Sequence, residues 1–262
     1  KLFTLVDWLE KGHSLNETLN GRLQPVPNMT NSCQGNWVNP GGVRINNFAN
    51  NQGYVGTPMM FTRDSLNTGY LAMAAELDLC DIANVVKKLG VKTGDGKEIL
   101  MQNANEVIGS DNVSPIAMAG AYATVANGGN QCQPKVIDKV TTADGEERPI
   151  PERVCSPALT PEIAATAAYA LQGVMARGGT GSTANPFDGT AVMGKTGTHE
   201  GHETWMIESS TNATTAVWVG NWDGDVDLFG RYFNGTQLSD MRYVLARDIQ
   251  SAANEFYGGD RF

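Results

Sequence analysis

Apolar residues recur with helical spacing from the first position of the chain. Leu2, Phe3, Leu5, Val6, Trp8 and Leu9 run up to Gly12, a residue suited to ending a helix. Lys1 precedes this pattern with no initiator Met, leader or capping residue, so the chain reads as entering an element part-way and is expected to be a fragment. Residues 13–56 lose all periodicity and are dense in Asn, Gly, Pro and Gln, which predicts a long irregular connection crossed by short extended pieces. Thr57-Pro58 then has the form of an N-cap followed by a first-turn proline. Helical spacing resumes through Phe61 and, after a break at 64–67, through Leu71, Ala74 and Leu77. Further helices are predicted over Asp81–Leu89, Ser114–Ala126 and from Thr160-Pro161 to about Met175, each closed by glycine. Between the last two, Lys135–Val140 and Glu147–Val154 flank the turn Ala143-Asp144-Gly145, which predicts a hairpin. Three strand-like runs follow, Thr190–Thr198, Thr204–Ser209 and Thr214–Asn221, joined by short polar links that imply antiparallel pairing. A final helix is expected over Ser239–Phe256 with Ser239 as its N-cap. Helices at both ends and a meander between them describe a layered α/β protein with helices covering the sheet.

Composition narrows the partners. The chain has 262 residues, 41% apolar and 18% charged, with net charge −9. That is a globular composition with ample length for a core. An acidic balance argues against nucleic acid, which requires clustered cations. No run approaches the 18 or so apolar residues of a membrane span. Cys33, Cys80, Cys132 and Cys155 include no C-x-x-C pair, which disfavours zinc or a dithiol redox site. Two disulfides in an oxidising compartment and four buried thiols in a cytosolic protein both fit the spacing, and four cysteines allow three pairings. Cys132 and Cys155 flank the predicted hairpin, and a bond there would close a loop worth roughly 3 kcal/mol on the chain-entropy model.

Three short motifs carry the candidate chemistry. Gly194-Lys195-Thr196-Gly197-Thr198 lies in a predicted strand. Gly197 lets another chain lie close to that strand, while Lys195 and the hydroxyls of Thr196 and Thr198 offer a cation and two donors to a carboxylate. Alone, such a triplet is more often a turn glycine in a surface strand. Ser65-Leu66-Asn67 sits between two helical runs, where Ser and Asn are common boundary residues. Lys1 is the third element. A lysine three positions after a serine shares its helix face and can take its proton, provided burial and a neighbouring cation hold the amine neutral. Lys195 is a candidate for that cation, and the serine would lie three residues before Lys1.

Taken in series, Lys1, Ser65-x-Asn67 and Lys195-Thr196-Gly197 resemble the S-x-x-K, S-x-N and K-T-G motifs of the penicillin-binding transpeptidases. The flanks agree. Leu2-Phe3-Thr4-Leu5 through Leu9-Glu10-Lys11-Gly12 is similar to the segment after the nucleophilic serine. Arg63-Asp64-Ser65-Leu66-Asn67-Thr68 is similar to the second motif, and Thr204-Trp205-Met206 with Ala216-Val217-Trp218-Val219-Gly220 to the strands after the third in bifunctional, class A enzymes. The resemblance covers essentially residues 1–262 as one transpeptidase domain lacking its serine-bearing start. It implies a five-stranded antiparallel sheet flanked by helices, with a mostly helical subdomain. It also implies D-Ala-D-Ala transpeptidation of peptidoglycan stem peptides without metal or cofactor, and inhibition by β-lactams. By the same resemblance Lys1 is the base, Ser65 relays a proton to the leaving amine with help from Lys195, and Asn67 holds Lys1 and the substrate amide. Thr196 and Thr198 bind the terminal carboxylate, and the Thr198 N–H contributes to an oxyanion hole. A membrane anchor and a glycosyltransferase domain upstream are implied, at the extracytoplasmic face of the membrane. The cysteines look like those of actinobacterial members, which implies Cys33–Cys80 and Cys132–Cys155.

Two segments depart from the family's usual wording: 198–203, with His199, Glu200, His202 and Glu203, and the turn at Glu208-Ser209-Ser210-Thr211. His-Glu-x-His is one residue short of the zincin spacing and lies between strands, so a polar loop is the better reading. A β-lactam-hydrolysing enzyme of the same fold needs a Glu in an E-x-x-x-N loop between Asn67 and Lys195, and none is present. A non-catalytic β-lactam sensor is the remaining alternative, discriminated by the residue three before Lys1.

Overall fold

The computed structural model describes residues 1–262. Helix α1 (Leu2–Glu10) is buried from Leu2 to Leu9, the polar Thr4 and Asp7 included, as befits a central core helix. Lys11 caps it and Gly12 turns the chain away at φ 86°. Strand β1 (Leu19–Asn20) pairs with β2 (Val55–Gly56), so the irregular 13–56 segment begins and ends on one short ladder. Thr57 caps α2 (Pro58–Arg63), accepting a hydrogen bond from the Met60 amide. α3 (Asn67–Ala75) and α4 (Leu79–Lys88) follow. α4 starts two residues before the expected position because Asp78 accepts from the Cys80 amide and serves as its cap. A one-turn helix α5 (Ala104–Ile108), too short to show a period in the sequence, precedes α6 (Pro115–Ala126).

The hairpin after α6 is paired at its base and near its tip. β3 (Asn130–Cys132) pairs with β6 (Cys155–Pro157), which sets Cys132 opposite Cys155, and β4 (Val140–Thr141) pairs with β5 (Glu147–Arg148). Cys132 is bonded to Cys155 and Cys33 to Cys80. α7 (Pro161–Met175) has the expected limits, with Thr160 as N-cap.

The principal sheet is antiparallel, in the order β7 (Met193–His199), β8 (Glu203–Ser209), β9 (Thr214–Gly220). It is three strands wide, not five. The other extended segments are two or three residues long and pair among themselves, so they add nothing to its edges. β10 (Tyr232–Phe233) and β11 (Thr236–Gln237) form a small hairpin before α8 (Met241–Tyr257). Ser239 is not the cap of α8. It sits in a 3-10 turn over Leu238–Asp240, and its hydroxyl donates to Gln237.

Alternation along the strands divides the side chains between two cores. Met193 and Ile207 join the main cluster of 36 buried residues, built mainly on α1, α3, α4, α6 and α7. Met206 and Val217 face the other way, against Ala246 of α8 and the C-terminal end of α7. No helix is long and apolar enough to cross a membrane. The construction leaves β7 as an edge strand, with the starts of α1 and α3 on the Lys195 side of the sheet.

Candidate active site

The three sequence motifs meet at one point. Lys1, at the entry to α1, donates from Nζ to the Ser65 carbonyl (2.9 Å), Ser65 Oγ (3.2 Å) and Asn67 Oδ1 (2.5 Å). Lys195, projecting from β7, donates to the same Ser65 Oγ at 2.5 Å and to the Thr196 carbonyl at 3.0 Å. Two lysines 194 positions apart thus share one hydroxyl.

Local structure explains the presentation of Ser65. It lies between α2 and α3 with φ 55°, a left-handed conformation that costs a non-glycine residue about 1–2 kcal/mol and persists only where the surroundings enforce it. Asp64 braces the turn, accepting from Tyr54 Oη at 2.6 Å and from the Arg63 guanidinium. The Arg63 carbonyl accepts from the Thr180 amide in the glycine-rich exit of α7, and Thr196 Oγ1 donates to Thr180 Oγ1 at 2.9 Å. This exit loop therefore ties the serine turn to β7. On the other side Asn67 Nδ2 donates to the Asn46 carbonyl, and buried Asn47 exchanges hydrogen bonds with Thr68. The irregular 13–56 segment is in this way fastened to the start of α3.

Electrostatics follows from burial. Lys195 is 5% exposed. Desolvation disfavours its ammonium form, and Lys1 and Arg242 add like-charge repulsion, so its pKa lies well below the usual lysine value. Burial alone brings the Lys1 side chain down to about 7. Near neutral pH the pair does not hold two full charges, and a neutral amine is available beside a hydroxyl. That hydroxyl can pass a proton between the two nitrogens.

The third motif has two faces. Lys195 and Gly197 lie on the α6 side of the sheet, where a Cβ on Gly197 would meet Trp205 Cβ at 3.1 Å. Trp205 is thus the neighbour that the glycine accommodates in the fold. Thr196 and Thr198 lie on the opposite face, and Thr198 is exposed. Arg242 of α8 reaches them from below, donating to the Gly197 carbonyl (2.5 Å) and Thr198 Oγ1 (2.8 Å).

Sequence reasoning missed Arg242, Thr180, Asn46 and Asn47. Arg242 did leave a signal, since a cation in the first turn of a helix opposes the macrodipole and needs a local reason. The others had none, because they act through loop geometry. His199 and Glu203 are paired across the β7–β8 turn, with Glu200 at φ 46° and Gly201 at φ 80° between them. His202 Nδ1 is buried there without a hydrogen-bond partner.

Residues 25–230 match a sequence model described as the penicillin binding protein transpeptidase domain. Penicillin-binding protein 1A of Aquifex aeolicus is 28% identical over 178 residues, which is 67% of this chain and 23% of that protein. Penicillin-binding protein 1B of Escherichia coli is 24% identical over 209 residues, 74% of this chain and 24% of that protein. The chain spans about a fifth to a quarter of the length of such curated relatives. Among solved structures, penicillin-binding protein PonA1 of Mycobacterium tuberculosis superposes over 100% of this chain and 69% of its own, with TM-score 0.81 and 22% identity. Penicillin-binding protein 1A of Haemophilus influenzae covers 97% of this chain and 42% of its own, with TM-score 0.75 and 18% identity. The match spans well over half of the sequence, and the chain belongs to the penicillin-binding protein transpeptidase domain family.

Proposed function

We propose that this domain is the transpeptidase of a peptidoglycan synthase, a serine acyl-transferase acting on the D-Ala-D-Ala end of a stem peptide. The observation that carries the reading is the single hydroxyl of Ser65 held between Lys1 and Lys195. The nucleophile is a serine three residues before Lys1, one helical turn away on the same face. Its O–H transfers a proton to neutral Lys1 as the oxygen bonds to the carbonyl carbon of the penultimate D-Ala. The negative charge on the carbonyl oxygen is stabilised by backbone N–H groups, that of Thr198 among them. As the C–N bond breaks, the proton passes from Lys1 through Ser65 to the departing D-Ala amine, with Lys195 donating to Ser65 throughout. An amine of a second stem peptide then attacks the acyl-serine, forms the cross-link and returns the proton along the same route. Thr196 and Thr198 receive the terminal carboxylate, and Asn67 holds Lys1 and the substrate amide.

A β-lactam enters the same path and remains as an acyl-enzyme. Slow deacylation is supported by the lack of an E-x-x-x-N segment between Asn67 and Lys195. The two disulfides support a place outside the cytoplasm, and the short coverage of the relatives supports an anchor and a glycosyltransferase domain elsewhere in the protein. Intact mass after exposure of the full-length protein to benzylpenicillin tests the reading. One adduct that persists for many minutes, absent when the serine three before Lys1 is changed to Ala, is expected. No adduct, or an adduct lost within seconds, overturns it.

A further inference from the structure

Arg242 is 5% exposed, yet no carboxylate lies within ion-pair distance of it. The same holds for Lys1 and Lys195. In a chain of net charge −9, two lysines and a buried arginine converge on one site with no acidic counterpart in contact. A buried guanidinium without an anion is costly and needs a reason.

The donor arrangement supplies one. Arg242 Nη1 donates to the Gly197 carbonyl and to Thr198 Oγ1, and Nη2 donates to Tyr243 Oη at 2.7 Å. A guanidinium is donor-only, so Thr198 Oγ1 must be the acceptor in its contact. The inner side of that hydroxyl is thereby filled, while Thr198 itself is exposed. Its proton is left to the open side. The fixed positive charge lies directly behind the donor.

We propose that Arg242 is a positioning residue for the carboxylate of the acyl donor, turning the Thr198 proton outward and supplying the positive charge that this anion meets. The inference rests on the transpeptidase reading and adds to it the residue that makes the site selective for an anionic ligand. Arg242 acts through Thr198, so its effect should vanish with the Thr198 hydroxyl.

The test compares acylation of the full-length protein by benzylpenicillin and by its methyl ester, which lacks the charge. Arg242→Gln is expected to slow acylation by the carboxylate about 10- to 100-fold and by the ester less than about threefold. Arg242→Lys, which keeps the charge, should restore much of the preference. In a Thr198→Val background, Arg242→Gln should change the carboxylate-to-ester ratio less than about threefold. Equal loss with both compounds would mean that Arg242 only supports the fold, and an unchanged ratio would mean that it does not sense the anion; either result overturns the proposal. If Arg242→Gln does not fold, Thr198→Val alone must still lose the preference about tenfold, and its failure to do so is equally decisive. Absence of any acylation of the wild-type protein would instead overturn the transpeptidase reading.

Discussion

At the scale of single residues, the chemistry depends on which nitrogen carries a proton. Lys1 must be neutral to take the serine proton, and burial brings it down to about 7. The rate constant for penicillin acylation should therefore rise with pH through about 7 and level off above it, as the reactive amine form accumulates. Stopped-flow acylation between pH 5.5 and 8.5 would show this, and a flat profile would remove Lys1 as the base. Ser65→Ala takes away the only hydroxyl between the two lysines and should slow acylation by about 10²–10⁴-fold. Thermal stability should change little, because alanine meets the same left-handed φ of 55° and both lysines keep a backbone carbonyl acceptor. These residues were readable in the sequence because S-x-N and K-T-G are contiguous strings. Thr180 was not, because it reaches the site from a loop, and Arg242 signalled only an unfavourable charge at a helix start, not where that helix would bring it. Their roles arise from where α8 and the exit of α7 come to rest.

At the scale of elements, periodicity and caps located most of the helices. Thr57, Ser114 and Thr160 each cap a helix whose first residue is proline, the form expected at Thr57. α5 and the 3-10 turn before α8 were hidden because one turn is too short for a period to emerge. The segment from Glu208 departs from the family's usual wording, and Glu208 lies on the α8 face of β8, fully buried, with both carboxylate oxygens lacking a hydrogen-bond partner. Burial chiefly, and Asp188 in addition, push its pKa up to about 8, with Arg247 opposing. A carboxyl raised in the folded state binds its proton more tightly there than when unfolded. It therefore destabilises the fold progressively as pH climbs from about 4.5 to about 8. Glu208→Gln removes this titration. Relative to wild type it should gain roughly 2–3 kcal/mol more at pH 8.5 than at pH 5.5, measured by urea denaturation. A gain that does not depend on pH would show that Glu208 is not titrating beneath α8.

At the scale of the whole molecule, the two disulfides hold parts with different relations to the site. Cys132–Cys155 closes the base of a hairpin whose β4–β5 end is exposed and which shares no hydrogen bond with Lys1, Ser65 or Lys195. Cys33–Cys80 joins the irregular 13–56 segment to α4, beside the Leu79 amide bonded to the Thr30 carbonyl and the Ser32 amide bonded to Asp78. That segment carries Asn46 and Asn47, which hold Asn67 and Thr68 at the start of α3. By loop entropy the Cys33–Cys80 bond contributes about 4 kcal/mol and the Cys132–Cys155 bond about 3 kcal/mol, so stability alone scarcely separates them. Function should. Cys132→Ser with Cys155→Ser is expected to lower the denaturation midpoint while leaving penicillin acylation within about twofold. Cys33→Ser with Cys80→Ser should lower both, slowing acylation severalfold, because the segment that fixes Asn67 is freed from its one covalent attachment to α4. Equal acylation by the two variants would mean that the Asn47–Thr68 hydrogen bonds hold Asn67 without help from the disulfide. A loss confined to the hairpin variant would place the coupling on the opposite side of the molecule, through α6 and its contact with the sheet.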